Sequence, residues 1–320
     1  MNDVFDATAT MKFGIGQPIR RLEDVRLLTG KGRYQDDQTF HRQTWCVFVR
    51  SPHAHARIRS IDTDAASQAP GVVAVFTGTG YANDGIAMPK AAMPRKKRDG
   101  SPMFAPQRPA LVVDRTRYVG DPVAMVIAET LAQAKDAAEL AVVDYEPLPS
   151  VTSVAEAAEP DAPRVWDENP DNISHTTERG NRQATDAAFA QAAHIVKRRY
   201  VVTRVHAQYM EPRGAIGTYD PAEDRYTLYA DVNYPHRVRN MLANMVFKVP
   251  ESSVRVVCHD VGGGFGAKGW QYVDHRLTLW AARKLERPVK WKCERSEVIL
   301  ADEHGRDNIG EIELALDGDG

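Results

Sequence analysis

The stretch VRVVCHDVGGGFGAKGW, residues 254–270, sets Gly262, Gly263, Gly264 and Gly266 around Phe265, with Lys268 just beyond. Glycine tolerates positive φ and lets main-chain N–H groups come close to a ligand, so such a bend suits an anion or an oxo group. The same pattern also describes a flexible turn between a strand and a helix. A Walker loop is excluded, because Ala267 precedes Lys268 and neither Ser nor Thr follows it. A dinucleotide loop stays open: GGGFGA satisfies G-x-G-x-x-A, an apolar run precedes it, and Glu294 closes the next strand-like run, although 27 residues beyond Ala267 is somewhat far for a ribose-binding acid.

Other chemistry-bearing residues are sparser. His53 and His55 alternate with apolar residues and would share one face of a strand, but no third ligand is near them, so both read as structural. Cys46, Cys258 and Cys293 form neither an even set nor a CxxC pair, which argues against a disulfide framework or a zinc knuckle and for a reducing, cytoplasmic setting. The basic run PRKKR at 94–98 lies in a proline-rich loop and reads as solvated, not as a nucleic-acid contact. Lys268 reads as the opening of a solvent-exposed helix.

The elements that must position the bend follow from patterning. The chain has 320 residues, 43% of them hydrophobic and 26% charged, with a net charge of −2, which is enough for about two domains and gives no global attraction to nucleic acid. No apolar run reaches the ~18 residues of a membrane span, and Arg20-Arg21 lacks the apolar stretch that an export signal needs. Residues 1–12 read as a disordered arm, and order is expected from near Phe13. Short β-branched runs at 46–50, 56–62 and 72–76 read as strands, and 83–109 reads as a loop. A buried strand at 123–128 leads to a helix in which Thr130 and Gln133 form a capping box and Leu131, Ala134, Ala138 and Ala141 share a face.

An α+β unit closes near residue 150, and 151–190 reads as a linker with a short helix at 184–192. Further strands are expected at 194–205, 215–220, 225–232, 254–261 and 288–293, with helices at 236–246 and 272–285. A last strand at 311–317 is expected to lack a hairpin partner.

Six segments, in order, carry a family resemblance: GIGQPIRRLEDVRLLTGKGRYQDD (14–37), VRSPHAHARI (49–58), GDPVAMVIAET (120–130), VDYEPLP (143–149), MEPRGAIG (210–217) and DVGGGFGAK (260–268). They resemble the large subunit of the molybdenum hydroxylases, the xanthine dehydrogenase, aldehyde oxidase and aerobic carbon monoxide dehydrogenase superfamily, on its carbon monoxide dehydrogenase-like branch. The resemblance implies an α+β "hammerhead" domain over 13–150 and, over 191–320, the first part of a molybdopterin-binding domain.

It further implies that Gly262, Gly263, Gly264, Phe265 and Gly266 lie against a molybdopterin cofactor with molybdenum, in its cytosine dinucleotide form. The family usually carries a glutamine before x-Pro-His; this chain has Asn233 there, with the same donor and acceptor on a stem one methylene shorter. The family's large subunit is more than twice as long, and its catalytic glutamate falls beyond residue 320. Glu211 is not that base by motif, and His236 is a candidate support for the cofactor loop. No side-chain metal ligand is implied.

The implied partners are the rest of the large subunit, an FAD-binding medium subunit, an iron–sulfur small subunit with [2Fe-2S] clusters, and a small substrate such as an aldehyde or N-heterocycle. The implied activity is water-dependent oxidative hydroxylation. A non-catalytic assembly chain of the same fold and an NAD-binding dehydrogenase domain are the alternatives.

Overall fold

The computed structural model describes residues 20–87 and 94–320. The expected arm at 1–12 lies outside the described residues. A short helix α1 (Asp24–Leu28) precedes β1 (Thr44–Arg50), β2 (Ala56–Asp62), α2 (Asp64–Ser67), β3 (Val72–Thr77), α3 (Gly78–Asn83), β4 (Arg115–Thr116), β5 (Pro122–Ala128), α4 (Leu131–Glu139) and β6 (Val142–Pro147). Helices α5 (Val154–Ala157) and α6 (Arg182–Gln191) then lead to β7 (His194–Val205), β8 (Gly214–Asp220) and β9 (Arg225–Ala230). The remainder is α7 (Pro235–Met241), β10 (Val254–Val257), α8 (Val273–Leu285), β11 (Val289–Lys292), α9 (Arg295–Ala301) and β12 (Gly305–Leu316).

A seven-stranded mixed sheet in the order β10-β9-β8-β11-β1-β5-β3 forms the body, beside a three-stranded sheet β4-β2-β6 and the ribbon β12-β7. β1 is the joint of the large sheet, antiparallel to β5 and parallel to β11, with Trp45 opposite Lys290 and Cys46 opposite Trp291. β5 is buried at every position, which is why its sequence, PVAMVIA, is apolar without alternation. Thr130 caps α4 as its sequence requires, its hydroxyl accepting from the Gln133 amide at 3.2 Å.

Helix α8 lies so close on β8 that a Cβ at Gly217 would overlap the Thr278 carbonyl. Burial of its residues Asp274 to Ala282 makes α8 a core element, not a surface one. Its Trp280 packs between Phe76 and Tyr81, at 4.7 and 5.1 Å between ring centroids, and donates to Asp84 at 2.7 Å. One apolar core thus spans both ends of the large sheet.

Two expectations are corrected. The last strand is not left without a partner: β12 pairs antiparallel with β7 from Gly305↔Val205 to Leu316↔His194. The strand before the glycine bend stops at Val257 instead of 261, because the chain turns away from β9 there to form the bend.

Candidate functional site

Three segments converge on the glycine bend: the run before β8, the end of β9 with the start of α7, and the stretch after β10. Asp260 fixes the entry, its carboxylate gripping the Arg26 guanidinium and accepting from the Arg33 amide at 2.7 Å. The hydrogen bond from Arg26, followed by that from the Arg33 amide, holds this carboxyl well below the usual range. At the exit, Ala267 N–H donates to Gly264 O at 2.9 Å, and the Tyr272 hydroxyl donates to Ala267 O at 2.7 Å.

The four glycines are glycine for one of two reasons. A Cβ at Gly262 would overlap Glu211, and one at Gly264 would overlap Asn233 Oδ1. Gly263 and Gly266 have φ of +94° and +93°. Phe265 also has positive φ, 45°, and its ring is 84% exposed. Met210 and Tyr234, which adjoin Glu211 and Asn233 in the chain, are exposed as well.

Glu211 fastens the bend from below. Its Oε2 accepts from Gly262 N–H at 2.6 Å, its own N–H donates to Gly262 O at 3.1 Å, and its Oε1 accepts from Gln35 N–H at 3.2 Å. Lys268 sits behind it, only 1% exposed, and its ammonium donates to Glu211 O at 2.8 Å, lies 3.1 Å from Glu211 Oε2 and pairs with Asp231. Asp231 is buried and accepts from Gly214 N–H at 3.0 Å. Burial raises its carboxyl to about 7, with Lys268 opposing and Glu211 adding to the rise.

The expectation of a solvent-exposed Lys268 is therefore overturned. No α-helix begins at that residue: a single 3₁₀ turn, Ala267–Gly269, follows the bend, and α8 starts at Val273.

Within this frame the amides of Gly263, Gly264, Phe265 and Gly266 meet no acceptor among the described residues. The Asn233 side-chain amide likewise has no hydrogen bond among them, although its main-chain N–H is held by Lys268 O at 2.9 Å. The structure thus brings Gly262, Gly263, Gly264, Phe265, Gly266 and Asn233 together. Four successive free donors beside a carboxamide fit a group rich in oxygen acceptors, such as an oxo ligand or a pterin edge.

The dinucleotide reading fails on topology, since β10 and β11 are separated in the sheet by β9 and β8. Glu294 pairs with Lys135 instead of approaching the bend. A cleft of about 510 Å³ between β10 and α7, lined by His236, Arg239, Arg255 and Cys258 among others, includes none of the glycines.

His53 packs against Tyr145, with ring centroids 5.0 Å apart and the planes tilted by 59°, and His55 Nδ1 lies 2.8 Å from Pro149 O, so neither shares a ligand set. Among the described residues no group of three or more His, Cys, Asp or Glu could hold a metal ion. Sequence reasoning missed Asp231 and passed over Glu211 and Lys268 as site builders. The only available signal was that MEPRGAIG and DVGGGFGAK carry the resemblance together.

A hammerhead-type unit joined to a glycine-lined, donor-rich bend defines a cofactor-binding subunit, and comparison gives its class. The family described as "Aldehyde oxidase and xanthine dehydrogenase, a/b hammerhead domain" matches residues 29–149, and "Molybdopterin cofactor-binding domain" matches 165–320. The chain is 37% identical over 96% of its length to the nicotine 6-hydroxylase large subunit of Paenarthrobacter nicotinovorans, covering 36% of that protein. It is 34% identical over 96% of its length to the carbon monoxide dehydrogenase large chain of Afipia carboxidovorans, covering 38% of it. Quinoline 2-oxidoreductase from Pseudomonas putida 86 superposes with a TM-score of 0.86 at 36% identity, over 97% of this chain and 38% of that one.

The chain belongs to the molybdenum hydroxylase family, among its large molybdopterin-binding subunits. It spans little more than a third of the length of the relatives it matches.

Proposed function

We propose that this chain is the N-terminal portion of a molybdenum hydroxylase large subunit, with 13–150 as its hammerhead domain and 191–320 as the first part of its molybdopterin-binding domain. In this reading it forms one wall of the site in which an aldehyde, N-heterocycle or related small molecule is oxidatively hydroxylated. The single observation that carries this is the row of acceptorless amides from Gly263 to Gly266, held open by Glu211 and faced by the unpartnered Asn233 carboxamide.

When bound, the cofactor supplies two-electron oxidation with oxygen drawn from water. This chain's own contribution is geometric and electrostatic. The bend's amides donate to the cofactor's oxygen acceptors without needing to reorganise. Asn233 adds one donor and one acceptor.

The proposed cofactor is the cytosine dinucleotide form of molybdopterin, with FAD and [2Fe-2S] clusters on partner subunits and the complex in the cytoplasm, in keeping with three free cysteines. No helix of the described residues is long and apolar enough to cross a membrane. The test is elemental and nucleotide analysis of the purified native complex containing this chain. Stoichiometric molybdenum with cytidine monophosphate released by acid hydrolysis is expected, and a folded complex holding neither would refute the reading in favour of an assembly role.

A further inference from the structure

We infer that Lys268 is a positioning residue: its buried ammonium locks Glu211 in place, and Glu211 in turn fixes the donor face of the glycine bend. An ammonium has three N–H donors. Here they face Glu211 O, Glu211 Oε2 and Asp231, so none is left for an outside anion. Lysine is almost never buried unless paired, and an apolar residue of similar volume would ordinarily serve stability as well or better. The charge therefore calls for a geometric explanation.

Glu211 supplies one, because the same Oε2 that meets Lys268 also accepts from Gly262 N–H at 2.6 Å. Without the ammonium, Glu211 loses the donors at its main-chain oxygen and its Oε2 that hold it over Gly262, and it is free to turn away from the bend. The main chain of Lys268 closes the device, since its carbonyl holds Asn233 N–H at 2.9 Å. One residue thus ties together the segment before β8, the start of α7 and the bend.

The inference rests on the bend being the cofactor's seat only in its second arm. Hydrogen exchange read by mass spectrometry on this chain, comparing wild type with K268M, tests the lock itself. The Gly262 amide, which donates to Glu211, and the Asn233 amide, which donates to Lys268 O, are expected to exchange about tenfold faster or more, while those of Leu277 to Ala282 in α8 change less than about twofold. An unchanged bend would overturn the lock. A parallel rise in α8 would also overturn it, by reducing Lys268 to general stabilisation. If K268M does not fold, E211Q decides, with a smaller acceleration in the bend expected and none refuting the lock. Molybdenum retained by the assembled K268M complex after dialysis is the second arm: a loosened bend with undiminished molybdenum leaves the lock standing and removes the cofactor from the bend. Lost molybdenum with an unmoved bend does the reverse.

Discussion

At the scale of single residues, the bend separates two kinds of glycine, and alanine substitution will distinguish them. Gly264→Ala drives a methyl into Asn233 Oδ1, an overpacking that costs about 1–3 kcal/mol and must turn the carboxamide aside. Gly266→Ala meets open space and incurs only the penalty of positive φ, about 1–2 kcal/mol. Urea midpoints are expected to fall for both, while the Asn233 side-chain amide resonance moves only in Gly264→Ala.

Asp231 makes a pH prediction with a definite sign. Burial raises its carboxyl from 3.8 to about 7, so the folded chain keeps a proton that the unfolded chain releases near 3.8. Folding takes up a proton inside that window, and stability declines as pH rises through it, levelling off above about 7. Asp231→Asn removes the titrating group, so the drop in urea midpoint between about pH 5 and about pH 8 is expected to shrink in the variant.

Among the elements, α4 is one whose start could be written down in advance. Thr130 caps it, Gln133 answers, and Thr130→Ala is expected to cost about 1 kcal/mol by chemical denaturation. Such local chemistry is legible because its partners lie within four residues of each other. The glycine bend was legible as a bend for the same reason, since positive φ is a property of the residue itself.

What supports the bend was not legible. Glu211 and Lys268 are 57 positions apart, and a lysine after a glycine run carries no local sign of burial. Nor could the pairing of 311–317 be read, because its partner β7 begins at His194, more than a hundred residues earlier, and β7 is exposed along its whole length, with no apolar face to fix a register. Lys197–Glu313, at 2.8 Å across that ribbon, is visible only once the register is known.

At the scale of the whole molecule, the two family matches share one sheet: β1, β3 and β5 come from the first, and β8, β9, β10 and β11 from the second. Arg50, at the end of β1, fastens the joint from within. Its guanidinium pairs with Glu297 of α9 at 2.7 Å, lies 3.7 Å from Asp274 of α8 and donates to Gly120 O at 3.0 Å. Burial alone would push the Asp274 carboxyl up, but Arg213 and then Arg50 outweigh it and hold the group below its ordinary value. Arg50→Met leaves Glu297 without its cation and is expected to cost about 3–5 kcal/mol. Calorimetry of the wild-type chain is expected to show one transition for both halves; two resolved peaks would mean that the shared sheet does not couple them.

The place of β1 has a consequence for biosynthesis. Thr44 donates to Pro288 O at 2.8 Å, and Thr44 to Cys46 align with Val289 to Trp291. As the polypeptide leaves the ribosome, β5 can settle on one side of β1 early, but the other side must wait until residues 289–292 have been made. During that interval a row of open main-chain groups, bordered by the apolar TWCVFVR, is a template for pairing with other nascent chains. Holdase chaperones that recognise such segments should therefore bind chains stalled before residue 288 and release those that have passed 292.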